Sequence, residues 1–175
     1  MSIITISGTP GCGKSTVAKL LEEKTGLKYV YLGMIFRELA TKHNMSLEEF
    51  GKYCKEHEGI DKKLDGEQLK ILKSGDVILE GRLAGWIAHK NNIAALKVMI
   101  DADIKTRASR IQKREGGNLK QQEKEMLERE ECEATRYKKY YNIDLKDISV
   151  YDVVVNSKDK TPNEIVDIIL KKFDK

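Results

Sequence analysis

Residues 8–16 read Gly-Thr-Pro-Gly-Cys-Gly-Lys-Ser-Thr, and no other stretch constrains the chain so tightly. Gly8, Gly13, Lys14 and Ser15 stand at the G-x-x-x-x-G-K-[ST] spacing of a phosphate-binding loop. Glycines let backbone N–H groups turn inward with no Cβ in the way. Those groups, with the helix N-terminus behind them, face an anionic phosphate. Gly8, Thr9, Pro10, Gly11, Cys12, Gly13, Lys14, Ser15 and Thr16 are therefore assigned to a nucleotide's phosphates. Lys14 reaches the β- and γ-phosphates, and the Ser15 hydroxyl is the candidate ligand for Mg²⁺. The flanks agree. Ile3, Ile4 and Ile6 form a β-branched run ahead of the loop, and Val17, Ala18, Leu20 and Leu21 follow it at helical spacing. Gly26 suits the left-handed cap of that helix. Strand, glycine loop and helix come in the order a phosphate loop requires.

The rest of the chain alternates strands and helices. Apolar runs at Leu27–Leu32, Val77–Glu80, Leu96–Ile100 and Val150–Val155 predict four further strands. Met34, Ile35, Leu39 and Ala40 predict a helix with Arg37 on its other side. Ser46 and Glu49 form a capping box that starts another helix near Leu47, running to about His57 and ended by Gly59. A further helix spans roughly 62–73, and Ala84–His89 is a short one. Ile104–Glu115 and Leu119–Tyr140 are polar helices joined at Gly116-Gly117-Asn118. Thr161, Pro162 and Glu164 open the last helix, with Ile165, Ile168, Ile169 and Phe173 as its apolar face. This alternation predicts an α/β fold of the P-loop NTPase type, with a five-stranded parallel sheet and helices on both faces.

A length of 175 residues suits a single domain spanning 1–175. No segment approaches the ~20 consecutive apolar residues of a membrane span, and no signal peptide is visible. Cys12, Cys54 and Cys132 are scattered, which suits free thiols in a reducing cytoplasm. Cys12 is read as an incidental small residue of the loop, with oxidation there as the sharper alternative. The net charge of +4, from 32 basic and 28 acidic residues, is explained by polyphosphate substrates as well as by nucleic acid. His43, His57 and His89 lack partner spacing and are read as surface residues. Trp86 either packs or walls a base pocket, and Tyr137, Tyr140 and Tyr141 are read as packing residues.

Phosphoryl transfer needs alignment and charge neutralisation more than covalent chemistry. Arg37, Arg82, Arg110, Arg114, Arg129 and Arg136 are the candidate phosphate or base contacts; Arg107 is ranked below them. Glu80 ends a strand at the edge where open α/β sheets bind ligands. It is assigned to a Mg²⁺ shell, a base contact or a structural ion pair with a nearby arginine. The two arginine-bearing helices around Gly116-Gly117 read as a mobile lid, the alternative being a solvated, charge-laced hairpin.

Together these segments resemble a nucleoside monophosphate kinase, most closely the archaeal-type cytidylate kinases. The segments are the phosphate loop, Gly33–Ala40, Met45–Phe50, Leu79–Trp86, Arg110–Glu115, Arg129-Glu130-Glu131 with Arg136-Tyr137, and Tyr151-Asp152. The Glu-Gly-Arg-Leu-Ala-Gly-Trp stretch at 80–86 is the most specific. Family members often carry small residues where Tyr31 and Leu32 stand. The resemblance implies acceptor-binding helices over about 33–74 and a lid over about 107–136. It implies MgATP as donor, CMP or dCMP as acceptor, and a monomer without nucleic-acid or membrane partners. By position, Gly33, Arg37, Glu80, Gly81 and Arg82 would bind the acceptor. Arg110 and Arg114 would lie near ATP, and Arg129 and Arg136 would clamp the transferring phosphate; Lys14, Arg114, Arg129 and Arg136 form the implied catalytic set. The turn at Asn156–Lys158 would border the adenine. An adenylate or uridylate kinase of the same architecture is the nearest alternative. A nucleotide- or RNA-binding module is the next, although acids interleave the basic residues from Glu123 to Glu133. No Asn-Lys-x-Asp segment favours a GTPase.

Overall fold

The computed structural model describes residues 2–173. Its five strands are β1 (Ile3–Gly8), β2 (Lys28–Tyr31), β3 (Val77–Glu80), β4 (Leu96–Asp101) and β5 (Val153–Asn156). They form one parallel sheet in the order β2-β3-β1-β4-β5. All six residues of central β1 are buried, as a strand covered on both faces must be. Its alternation divides two cores. Ile4 and Ile6 face Val17, Leu21, Val166 and Ile169 of α1 (Lys14–Thr25) and α8 (Pro162–Phe173). On the other face Ile3 joins a cluster with Leu72, Trp86 and Tyr137, from α4 (Glu58–Ser74), α5 (Ala84–Lys90) and α7 (Leu119–Tyr141).

Two excursions leave this sandwich. The first is α2 (Leu32–Lys42) and α3 (Leu47–Cys54), closed on a small core of Ala40, Phe50 and Cys54. The second pairs α6 (Ile104–Glu115) with α7 through Ala108, Ile111 and Met126. Register places the ends of the strands level: Tyr31 and Ile6 both pair with Glu80, and Gly8 pairs with Ile100. Hence the phosphate loop, Tyr31, Glu80 and Asp101 share one edge of the sheet.

Several sequence expectations are corrected. Leu32 starts α2 instead of ending β2, so Gly33 lies in a first helical turn, where a Cβ would stand 2.4 Å from the Tyr31 ring. The helix from Leu47 stops at Cys54. There the backbone tightens: Lys55, Glu56 and His57 each donate to the carbonyl three residues back. Gly59 does not end a helix but sits in the first turn of α4. The last strand begins at Val153 and not Val150, because a turn from Tyr151 N–H to Ile148 precedes it. Val150 is buried in the core without being in the sheet. On α8, Ile168 is 37 % exposed and Val166 takes its place in the core. The predicted caps at Gly26 (φ +71°) and at the Ser46–Glu49 box are present.

Candidate active site

The loop is held by close approach. A Cβ on Gly8 would lie 2.0 Å from the Ile100 carbonyl, and one on Gly11 (φ +77°) 2.8 Å from that of Arg107. Lys14 Nζ spans the loop and donates to the Thr9 carbonyl at 2.9 Å. The Thr9 hydroxyl bonds Asp101 at the end of β4. Cys12 is buried beneath the loop. Its carbonyl accepts from the Ser157 hydroxyl at 2.8 Å. Ser157 in turn receives the Arg110 guanidinium on both its hydroxyl, at 2.9 Å, and its carbonyl, at 2.7 Å. The loop, α6 and the turn after β5 are thus one unit.

Glu80 is 1 % exposed and pairs with no arginine among the described residues. It accepts instead from the Ser15 hydroxyl at 3.0 Å and from the Tyr29 hydroxyl. Burial, then the hydrogen bond and charge of Glu80, push the Tyr29 phenol well above its ordinary range. Tyr29 is therefore a donor throughout physiological pH. A hydroxyl and a buried carboxylate meet beside the loop, and hard oxygen donors of this kind suit Mg²⁺.

The arginines fall into distinct settings. Arg82 donates to the Gly8 carbonyl and to Glu133, and Arg129 donates to the other oxygen of Glu133 at 3.0 Å. Burial opposes a charge on Glu133, yet Arg82 and Arg129 outweigh it and hold the carboxyl at about 2. Arg136 is 2 % exposed, ion-pairs with Asp61 at 2.8 Å and lies 5.5 Å from the Phe36 ring centre. Burial opposes its charge too, but Tyr137, Asp61 and Glu133 raise it further. Arg114 is exposed beside Glu115. Arg37 is exposed, and among the described residues its guanidinium has no hydrogen-bond or ion-pair partner. Arg107, ranked low as a ligand, is a brace: it binds the carbonyls of Ala102 and Pro10 and pairs with Glu130, tying α6 and α7 to the loop.

A cleft of about 920 Å³ opens over the sheet edge. Its lining includes Lys14, Ser15, Thr16, Gly33, Arg37, Glu80, Gly81, Arg82, Arg110, Arg114, Arg129 and Arg136. Pro10, Gly11, Cys12 and Gly13 line it as well, while Gly8 and Thr9 stand behind it. Residues from the phosphate loop, α1, β3, α2, α6 and α7 thereby converge on one space. Trp86 is buried in the core outside the cleft, and the three histidines are exposed.

A model of the cytidylate kinase-like family matches residues 3–159. The chain belongs to this family. A cytidylate kinase of Methanococcus vannielii is 45 % identical over 170 residues, 97 % of this chain and 98 % of that protein. One of Archaeoglobus fulgidus is 47 % identical over 169 residues, 96 % and 92 % of the two chains. Among solved structures, a shikimate kinase from Bacteroides thetaiotaomicron superposes with a TM-score of 0.66 at 13 % identity, covering 99 % of each chain; it shares the fold.

In this member of the cytidylate kinase-like family, the α4 side of the cleft holds residues that motif reading passed over. Asp61, Asp65 and Gln68 project from one face of α4 into the cleft. Burial raises both carboxyls to about 6, against the pull of Arg136. Their signal lay in spacing: polar residues at i, i+4 and i+7 share a face with buried Leu72. Glu133 and Tyr29 were also missed; the first carries only an i+4 relation to Arg129, and the second has no local signature.

Proposed function

We propose that this chain transfers the γ-phosphoryl group of MgATP to CMP or dCMP, giving ADP and the nucleoside diphosphate. The observation that carries the reading is the convergence of a phosphate loop, arginines from three helices and Arg82 from the turn after β3 on one cleft, in a chain of the cytidylate kinase-like family. The loop from Gly8 to Thr16 cradles the donor phosphates, and Arg110 approaches them from α6. Ser15 and Glu80 are the residues that would hold Mg²⁺, through their meeting oxygens. The ion supplies charge neutralisation between the β- and γ-phosphates when bound.

Arg37, at the cleft wall and without a hydrogen-bond or ion-pair partner among the described residues, takes the acceptor's phosphate. An oxygen of that phosphate forms the new bond to the γ-phosphorus as the bond to the β–γ bridging oxygen breaks. The acceptor oxygen is already anionic at neutral pH, so no general base is needed. Lys14, Arg114, Arg129 and Arg136 offset the charge spread over the transferring group. The helices of about 33–74 form the acceptor side and those of about 107–136 the lid. Three free cysteines suit a cytoplasmic setting.

The test is ADP formation with MgATP and each of CMP, dCMP, UMP, AMP and GMP. Preference for CMP or dCMP is expected. Preference for AMP or UMP would overturn the CMP or dCMP part of this reading, and no acceptor-dependent ADP would overturn the whole of it.

A further inference from the structure

Gln68 is 7 % exposed, and its two amide atoms are treated differently by the fold. The Nε2 group donates to Asp65 Oδ1 at 2.8 Å, whereas Oε1 is buried with no hydrogen-bond partner among the described residues. A flipped amide would set that oxygen against a carboxylate, so Asp65 fixes which atom is left over. The leftover oxygen borders the cleft at the turn after β3: a Cβ on Gly81 would stand 3.5 Å from it. An orphaned buried acceptor costs stability unless something donates to it. Water can fill such a place, but Gln68 lines the cleft beside Gly81, on the side of Gly33 and Arg37.

We infer that Gln68 reads the exocyclic amine of the acceptor base, with Asp65 as the positioning residue that orients its amide. The inference rests on the proposed phosphoryl transfer and deepens it. Cytosine carries an amine where uracil carries a carbonyl oxygen. The cytosine amine donates to Oε1, whereas the uracil oxygen meets it acceptor to acceptor. A site built to bond a substrate N–H rejects the analogue lacking it, because its own polar atom is then left unpaired. Selection against uracil thus comes from an unmet acceptor rather than from shape.

Asp65 adds a readout that packing alone would not give. It interacts with Asp61 on its own helix and with Arg136 and Tyr141 on α7, and it shares a small pocket with Lys90 of α5, whose ammonium donates to the Tyr141 carbonyl. Burial raises its carboxyl to about 6. Once protonated, it can donate to Gln68 Oε1 and let the amide turn over, so the preference for an amine falls below that pH.

The experiment compares kcat/KM for CMP and UMP in the wild type, Gln68→Leu and Asp65→Asn, with KM for ATP and the melting curve checking the fold. Gln68→Leu is expected to lower the CMP-to-UMP ratio about 10- to 100-fold with ATP binding kept. Asp65→Asn is expected to lose part of the ratio and its dependence on pH near 6. A folded Gln68→Leu protein with the wild-type ratio overturns the inference, as does a ratio in Asp65→Asn that tracks the wild type at every pH. Should the wild type ignore CMP and phosphorylate AMP, the functional reading fails alone, and AMP against IMP carries the same comparison. A wild type that prefers UMP overturns both.

Discussion

The Ser15 hydroxyl donates to a Glu80 carboxylate oxygen over 3.0 Å, across 65 residues of sequence. Parallel pairing of β1 with β3 makes this contact, since Ile6 lies opposite Glu80 and the loop springs from the end of β1. A cation bridging the loop and the strand end would take up these oxygens, with Tyr29 still donating to the second Glu80 oxygen.

Glu80→Gln is accordingly expected to raise the Mg²⁺ concentration for half-maximal turnover by about 10- to 100-fold, the usual cost of losing a metal site's supporting carboxylate. Tyr29→Phe should shift it in the same direction by less, because Ser15 and Glu80 remain. Titration of turnover against Mg²⁺ at saturating nucleotide checks this. A superimposable curve for Glu80→Gln would remove the carboxylate from the metal site.

Lys14 and Arg37 should separate cleanly in kinetics. Lys14 spans the loop proposed to bind the donor, and Arg37 lies on α2 with no hydrogen-bond or ion-pair partner among the described residues. Lys14→Ala is expected to lower kcat by 100-fold or more, equivalent to about 3 kcal/mol of transition-state stabilisation. Arg37→Ala should chiefly raise KM for the acceptor and leave KM for ATP in place. Steady-state kinetics with each nucleotide varied in turn tests both. An unchanged acceptor KM in Arg37→Ala would sink its assignment.

How much of this was legible in the sequence depends on the range of the interaction. The strand, glycine loop and helix around residues 8–16, the Ser46–Glu49 box and the Gly26 cap are local patterns within a few residues, and the structure contains each of them. Element ends fared worse where tertiary contacts decided them. Asp152 binds the Lys97 backbone and side chain, and this anchors the approach to β5 at a place that the apolar run from Val150 does not mark. The partners of the arginines were hidden for the same reason. Arg82 and Glu133 are 51 residues apart and meet only because β3 ends beneath α7. A charge run such as Leu119–Tyr141 gives no hint of which glutamate is buried.

Glu133 also sets a stability expectation. Its side chain is 8 % exposed between Arg82 and Arg129. Removing one partner of a buried ion pair leaves uncompensated charge, at a cost of about 3–5 kcal/mol. Glu133→Ala should therefore be destabilised by that order in chemical denaturation, and Glu133→Gln by less. By contrast Glu48→Ala, which breaks an exposed i, i+4 pair with Lys52, should change stability by under about 1 kcal/mol. Equal effects for the buried and exposed pairs would contradict the burial of Glu133.

Two carboxyls give the pH dependence opposite signs. Glu133 is held at about 2 by its arginines, below its ordinary 4.5. Its contribution is present above the unfolded value and is lost as pH falls through about 2. Asp65 runs the other way: burial raises it from 3.8 to about 6. The folded form then keeps its proton between those values while the unfolded chain has released it. Stability from this group is full below about 3.8 and declines as pH rises through about 6. Asp65→Asn removes the proton linkage but keeps a side chain that can bond Gln68. Its melting temperature should lie near that of the wild type at pH 4 and gain on it steadily by pH 7. Parallel pH profiles for the two proteins would show that Asp65 ionises in the folded chain as it does in water.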